Sequence, residues 1–538
     1  LLHFLSKLPL VKHVVHQPRW WALGFIGLCL GNAVITPLTL PIGWMFAVAL
    51  GWVALAWLFR WGNPRHPHSP KRVWPWSLVP LIIWWFYVYM ADTYGDVDIA
   101  AIFFHLQAGM EGHGGGKRFL TAIVYTLSAF FSLVAFVWLV RHDHRWRLLE
   151  RILALFLLAT NPLLFGITQR SATMVTQDGA WLDRRYIEPK ITEEPADPPN
   201  LLYIYLESIE RTYDDNERFD DAYEDFNAIG EESVVFEGVR QLDNTGWTMA
   251  GMIASQCGVP LMPAGLLHDE QFEPLDHVVP GVNCLGDILS AQDYQLTYIG
   301  GASTDFAGKG LFYNDHGFDR ILGREELEPR LDDPDYVNSW GLYDDSLYDM
   351  MLEELKMLDE SDDPWGMVAL TLGAHAPFGF PADSCKERQG EFDGEDILYS
   401  VECSGWLTRQ FLDRLEDEGL LDNTLVVIAS DHLSMKVSAW DKLVASERDN
   451  TLMLYSDDLE PARIRRESTT LDIFPTILET MGYQTESHRA GLGVSLLAEP
   501  QNLVERHGLT YLNERLTEEN ALQERLWEGV DREVRFKE

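Results

Sequence analysis

Three groups able to do chemistry follow directly on short apolar runs of this sequence. Glu207 follows the run 201–206, Ser430-Asp431-His432 follows 425–429, and His375, within Gly373-Ala-His375-Ala-Pro377, follows 367–372. Carboxylate oxygens and an imidazole together form a mixed donor set suited to Mn²⁺, Zn²⁺ or Mg²⁺. Each residue alone has a plain structural use, as an acid near a helix start or an aspartate closing a turn. Their shared position at the ends of apolar runs favours the functional reading. A hydroxyl is on offer as well. In Asn244-Thr-Gly-Trp-Thr248-Met-Ala-Gly-Met252, Thr248 can open a helix, where the positive end of the dipole favours anions. The same place suits an ordinary threonine N-cap, and pattern alone does not separate the two.

Those residues need elements to hold them. From residue 200 on, apolar runs at 201–206, 234–239, 295–299, 367–372, 425–429 and 451–455 read as strands. Helical patterns at 248–256, 283–291, 343–358 and 398–418 fall between them, and one at 470–481 follows the last. Near-continuous apolar strands separated by amphipathic helices predict a mainly parallel sheet sandwiched by helices. In such folds ligands collect beyond the carboxyl ends of the strands. The stretch 171–199, ending in Glu-Glu-Pro-Ala-Asp-Pro-Pro199, reads as a linker. This divides the chain into a transmembrane domain at 1–170, the linker, a catalytic domain at 200–500 and a C-terminal tail at 501–538.

Charge sets the two halves apart. Residues 1–170 hold 14 Lys and Arg against 6 Asp and Glu; of the chain's 42 and 82, the remaining 28 and 76 fall in 171–538. So acidic a surface excludes nucleic acid as a partner, because phosphate backbones attract basic faces. Five apolar segments, near 20–37, 41–60, 74–91, 119–140 and 148–168, approach the ~20 residues that cross a bilayer as helix. A cleaved signal peptide is not expected, since apolar segments continue well past the first. Lys7, Lys12 and Arg19, then Arg60, Arg65, Lys71 and Arg72, then Arg141, Arg145, Arg147 and Arg151 mark alternate loops as cytoplasmic. The intervening loops carry no charge (38–40) or are mainly acidic, with Asp92, Asp96, Asp98 and Glu111. The expected location is therefore a multi-pass bacterial inner-membrane protein with everything after the fifth segment outside.

Cysteine usage fits an exported domain. Cys29 lies in an apolar segment, whereas Cys257, Cys284, Cys385 and Cys403 all fall in the acidic part. Four cysteines in an oxidising compartment suggest two disulfides, with three pairings open. No C-x₂₋₄-C pair is present to argue for zinc instead. Closeness in sequence favours Cys257–Cys284 and Cys385–Cys403.

The stretch from Leu201 through Leu-Tyr-Ile-Tyr-Leu-Glu-Ser-Ile-Glu-Arg-Thr to Tyr213, the segment 245–260 and Ala429-Ser-Asp-His-Leu-Ser-Met435 closely resemble phosphoglycerol transferases that decorate osmoregulated periplasmic glucans. Cys284-Leu-Gly-Asp-Ile-Leu289, Phe306-Ala-Gly-Lys309, His316-Gly-Phe-Asp319 and Trp340-Gly-Leu-Tyr-Asp-Asp345 match further, so the resemblance spans about 200 to 495. The wider group includes lipoteichoic acid synthases and phosphoethanolamine transferases, all with the alkaline phosphatase/sulfatase fold. The resemblance implies one divalent metal ion, Mn²⁺ before Zn²⁺ or Mg²⁺, held by Glu207, Thr248, Asp431 and His432. It implies Thr248 as nucleophile, His375 for phosphate binding or proton transfer, and Lys309 for phosphate binding. The implied reaction moves a glycerophosphoryl group from phosphatidylglycerol through a phosphothreonine-type intermediate to a periplasmic glucan or related glycan, releasing diacylglycerol. Phosphoethanolamine transfer is the alternative within enzymes, and an inactive membrane sensor or scaffold is the alternative outside them. A formylglycine sulfatase would need Cys or Ser where Thr248 stands.

Overall fold

A computed structural model describes residues 78–95, 101, 102, 104, 123, 125, 126, 179–263, 275–361, 363–388, 392 and 395–528. The chain divides into two compact units, one formed from 1–97 and 115–169, the other from 98–114 and 170–538. In the first, Leu78–Tyr94 is an apolar helix of 17 residues that overlaps the third expected span, 74–91. Tyr125 meets Trp85 and Tyr89 edge-on, with ring centroids 6.3 and 5.5 Å apart. Among the described residues no helix is long and apolar enough to cross a membrane. Of the other four expected spans only residues 123, 125 and 126, in the fourth, are described; the rest lie outside the described residues.

The second unit is built on an eight-stranded sheet. Its strands are β1 (Asn200–Leu206), β2 (Val234–Arg240), β3 (Gln295–Gly300), β4 (Arg320–Leu322), β5 (Trp365–Leu370), β6 (Thr424–Ser430), β7 (Leu452–Tyr455) and β8 (Ala462–Thr469). Their spatial order is β4-β3-β5-β1-β6-β7-β2-β8. Only β7 runs antiparallel to its neighbours, so the sheet is mixed but mainly parallel. All six expected strands are present, with ends shifted by no more than two residues.

Alternation along the strands sends side chains into two cores. Leu201, Tyr203 and Tyr205 of β1 join one apolar cluster, and Leu202, Ile204 and Leu206 join the other. The first face is covered by helices α1 (Thr248–Cys257), α2 (Leu285–Ser290), α3 (Lys309–Asp315) and α6 (Ile473–Thr480). The second is covered by α4 (Asp344–Leu358) and α5 (Asp396–Asp417). Burial of both faces explains why β1, β5 and β6 read as unbroken apolar runs rather than alternating ones. Each fully buried aliphatic or aromatic side chain contributes about 1.5–3 kcal/mol of transfer free energy. The expected pairings Cys257–Cys284 and Cys385–Cys403 are both formed, closing loops with sequence separations of 27 and 18. Loops of that size stabilise by about 3 kcal/mol each in the chain-entropy account.

Two segments differ from the sequence expectation. The described part of the stretch read as linker is laid against the domain: Ile191–Glu193 pairs antiparallel with Gln484–Thr485, and Ile187 bridges to Gly491. The segment read as a tail forms three helices, Leu503–His507, Leu509–Thr517 and Ala521–Trp527, before residue 529. Leu512, Leu516, Leu522 and Leu526 are buried in the first core, each pair four apart so that both members share one helix face. Trp527 Nε1 donates to Met262 O at 2.8 Å, and Glu519 accepts from Leu182 N at 2.7 Å. Low overall hydropathy hid an apolar stripe there.

Candidate active site

The site begins with strand register. β1 and β6 pair in parallel with Leu206 opposite Ser430, so Glu207 and Asp431 leave the sheet side by side. Ser208 then takes a left-handed backbone conformation, φ 58°, which non-glycine residues seldom adopt. That turn aims its N–H at Asp431 Oδ1, 2.8 Å away, while its hydroxyl donates to Glu207 Oε1 at 2.8 Å. His432 N also donates to Asp431 Oδ1, at 2.8 Å. Thr371, just past β5, accepts from Glu207 N at 3.1 Å. Three adjacent strand ends thereby fix the two carboxylates.

His432 completes the cluster. Its Nδ1 donates to Leu433 O at 2.7 Å, which assigns the proton and turns Nε2 toward the carboxylates. Nε2 lies 3.4 Å from Asp431 Oδ2 and 3.6 Å from Glu207 Oε1. One ligating atom from each of Glu207, Asp431 and His432 lies within 4.8 Å of the others, and all three residues are buried. Asp431 Oδ2 is buried and accepts no hydrogen bond. A buried carboxylate oxygen left in that state, facing an imidazole lone pair, fits a cation bound between them. Burial, and then the charge of Asp431, pushes the Glu207 carboxyl up. For His432 burial works downward, but Asp431 and Glu207 outweigh it and the imidazole is pushed up.

The hydroxyl enters from α1. Thr248 is the first residue of this helix; the N-cap is Trp247, and no side-chain cap bond is made. The N-cap alternative therefore does not hold for Thr248. Its Oγ1, half-buried, lies 3.4 Å from Glu207 Oε2. Thr245, by contrast, is fully buried and spends its hydroxyl on Leu242 O at 2.7 Å. What allows α1 to come so close is Gly251. A Cβ there would sit 1.6 Å from Asp431 O, so only glycine lets the helix rest on the main chain of the ligand loop. Gly251→Ala should therefore displace Thr248 and reduce turnover by about a hundredfold, the usual effect of an ångström-scale misplacement. Steady-state kinetics beside a thermal melt would separate this from unfolding.

Lys309 and His375 belong to the same neighbourhood, joined by aromatic rings. Lys309 opens α3, is 2% exposed, and donates from Nζ to Phe306 O at 3.0 Å. Burial pulls its ammonium down to about 8, although Glu207, Glu325 and Asp431 all favour the charge. The Phe306 ring meets Trp340 edge-on at 5.3 Å, and Trp340 lies 4.3 Å from the His375 ring. His375 Nδ1 donates to Ala376 O at 2.8 Å, and the ring is near enough that a charge on it would favour the ionised form of Glu207. All the residues expected at the site are thus gathered at one end of the sheet.

Four contributors carried no chemical signal in the sequence. Phe306 and Trp340 lie in stretches noted only for resemblance. Asp344, the first residue of α4, accepts from Leu372 N at 2.7 Å and from Gly373 N at 2.8 Å, holding the loop that leads to His375. Burial pushes this carboxyl up to about 7 despite the two amides. Asp344→Ala would strand both buried N–H groups, at about 1–3 kcal/mol each. Melting temperature and kcat should fall together, and Asp344→Asn, keeping one acceptor oxygen, should fall between wild type and alanine. On the other side, Glu210 is fully buried, accepts from Ser434 N at 2.9 Å and pairs with Arg448, clamping the loop after His432.

A second group of buried ligand-type residues, Cys284, Asp287 and His316, has its sulfur committed to the disulfide. Its His316 Nδ1 and Asp287 Oδ2 pair at 2.6 Å, which makes it a structural contact.

The sulfatase family model matches residues 199–483, more than half of the chain and all of the site. The chain belongs to the sulfatase family. Among curated proteins it is 33% identical to phosphoglycerol transferase I of Escherichia fergusonii over 421 residues, 76% of this chain and 54% of that protein. The protein of the same name from Citrobacter koseri is 33% identical over 423 residues, with the same shares covered. This chain thus spans about half the length of those relatives. Among solved structures, a protein in the alkaline phosphatase superfamily from Vibrio parahaemolyticus is 19% identical, with TM-score 0.49, covering 62% of this chain and 78% of its own.

Proposed function

We propose that this chain transfers a glycerophosphoryl group from phosphatidylglycerol to a glycan through a phosphothreonine at Thr248. One observation carries the reading: Thr248 Oγ1, at the start of α1 and unused as a cap, faces the Glu207–Asp431–His432 cluster. The relatives named phosphoglycerol transferase I support the choice of transferred group. Glu207, Asp431 and His432 would hold one divalent ion, Mn²⁺ before Zn²⁺ or Mg²⁺, with Thr248 as a further ligand. Bound there, such an ion lowers the pKa of a hydroxyl and polarises a phosphoryl oxygen.

The chain's own groups do the rest. Thr248 Oγ attacks phosphorus, the bond from phosphorus to the diacylglycerol oxygen breaks, and the threonine proton leaves with that oxygen. His375 holds its Nδ1 proton against Ala376 O, so Nε2 is the nitrogen that takes and returns a proton. Lys309 steadies the phosphoryl oxygens as a compact cation, and backbone N–H groups at the start of α1 share them. An acceptor hydroxyl then attacks phosphorus, its proton passes to threonine oxygen, and Thr248 is regenerated.

A lipid donor agrees with a membrane-embedded first domain and a periplasmic catalytic domain at the bacterial inner membrane. Two disulfides suit that compartment. The test is incubation of the protein with phosphatidylglycerol labelled in the headgroup. Diacylglycerol release with label passing to a glycan is the expected result. Release only from phosphatidylethanolamine, or from neither lipid, would overturn the reading.

A further inference from the structure

Most described arginines of the second unit are matched to carboxylates, as Arg466 is to Glu505 at 2.9 Å, Arg515 to Glu518 at 2.7 Å and Arg525 to Asp183 at 2.7 Å. Arg185, Arg489 and Arg506 stand together and make no ion pair among the described residues. Arg185 and Arg489 donate instead to main-chain carbonyls, Trp181 O at 2.8 Å and Arg185 O at 2.9 Å, which leave their charge uncancelled. We infer that this face docks the domain on a bilayer by binding the phosphate groups of anionic phospholipids. The docking presupposes the membrane-enzyme reading above and adds to it the face that meets the lipid surface.

Stretches far apart in sequence build the face. Arg185 lays its guanidinium over Trp181, 3.6 Å from the ring centroid. Gly508, φ 77°, turns the chain between the helices Leu503–His507 and Leu509–Thr517, and the His507 and Tyr511 rings stack across that turn at 5.4 Å. Both rings meet Trp181 edge-on, at 5.0 and 5.5 Å. Arg506 and His507 are exposed, while Trp181, Arg185, Arg489 and Tyr511 are half-buried. Burial, and then the charges of Arg506 and Arg185, pull the Arg489 guanidinium down. Burial followed by the same two arginines pulls the His507 imidazole down. Asp472 favours the charge of Arg489, but it is buried and already accepts from Thr469 N and Val494 N. A phosphate shared among these guanidinium groups would relieve their repulsion through charge-assisted hydrogen bonds.

The rest of the domain selects the partner. Residues 171–538 hold 28 basic and 76 acidic residues, so an anionic leaflet repels the surface as a whole. Salt confines that repulsion to about 8 Å at physiological ionic strength, and a local group of three arginines then decides which face approaches. Each basic side chain near such a surface strengthens binding by about fivefold. Trp and Tyr are the residues that settle at headgroup level, ring in the interface and polar tip outward. Trp181 follows residue 168, the end of the fifth expected span, by only 13 residues, a short tether on that topology. The face also adjoins the site. Asn513, in the helix that carries Tyr511, accepts from Asp243 N at 3.0 Å, five residues ahead of Thr248.

The experiment places the full chain, with Cys29→Ala and the exposed Thr510→Cys as reporter, in nanodiscs of phosphatidylcholine with or without phosphatidylserine. Phosphatidylserine is anionic but is not the proposed donor, so docking is read apart from binding in the active site. Maleimide labelling at residue 510 should be about tenfold slower with phosphatidylserine, and high salt should abolish the difference. A reporter at Glu353→Cys, exposed elsewhere on the surface, should label equally in both discs. Adding Arg185→Gln/Arg506→Gln should remove the protection of residue 510, and so should Arg506→Glu alone, a change at an exposed position that empties no packing. Equal labelling of residue 510 in the two discs, or protection that survives both variants, would overturn the docking face. Protection that behaves as expected in a chain that releases no diacylglycerol would leave the face standing and sink the transfer reading. Release without protection would do the reverse.

Discussion

Thr248→Ala is expected to abolish diacylglycerol release, by at least about a thousandfold, while leaving the domain folded. Thr248 is the first residue of α1 and no side-chain cap bond stabilises that end, so removing its hydroxyl breaks no cap. The other nine residues of the helix are buried and keep their packing. Thr245→Ala is the control, because the two threonines share a short stretch of sequence. It removes a buried bond to Leu242 O and should lower the melting temperature while retaining measurable turnover. With donor alone, the glycerophosphoryl adduct should be found by peptide mass spectrometry on Thr248. An adduct on Thr245, or unchanged turnover in Thr248→Ala, would show that the chemistry runs elsewhere.

Loss of the metal should be nearly as severe, and its effect on stability should depend on pH. Without a cation, two buried carboxylates and an imidazole share one small volume, and both Glu207 and His432 are pushed up. A folded-state pKa raised above its unfolded value stabilises fully below that unfolded value and loses the contribution as pH rises through the folded one. The ordinary values are 4.5 for Glu207 and 6.5 for His432, so both losses fall on the way from acid through neutral pH. The chelated protein should therefore become less stable from pH 5 to pH 8. Added Mn²⁺ should raise its unfolding temperature more at pH 8 than at pH 5, because the ligands bind it deprotonated. At a hundred times the dissociation constant the gain is about 2.7 kcal/mol. Asp431→Asn should remove both the metal response and activity. Equal melting shifts at the two pH values would contradict this account of the cluster.

The sequence revealed the site better than it revealed the edges of the fold. Glu207, His375, Asp431 and His432 could be found because each follows a strand buried on both faces, and such strands are unmistakable apolar runs. Strand β8, Ala-Arg-Ile-Arg-Arg-Glu-Ser-Thr, carries almost no apolar signal because it is an edge strand whose charges discourage pairing with other chains. The three residues of β4 are too few to show a period. Asp344 escaped for another reason: its partners are two backbone amides 28 and 29 residues away, and an amide has no side chain to betray it. The helices beyond 502 were missed because their apolar residues form a narrow stripe among many charges. The aromatic wall of Phe306 and Trp340 depends on tertiary contact alone.

The pairing of Leu206 with Ser430 also governs when the site can assemble. Ser208 and Asp431, which hydrogen-bond across the site, are separated by 223 residues, and a slip of one residue in register would turn every side chain of β1 to the opposite face. Synthesis runs from the N-terminus, so Glu207 and Thr248 emerge long before their partners on β6. Through that interval the chain possesses its hydroxyl and one carboxylate but nowhere to bind a cation. The Glu207–Asp431–His432 cluster is thereby kept incomplete by topology until the sheet has closed around its central pair of strands.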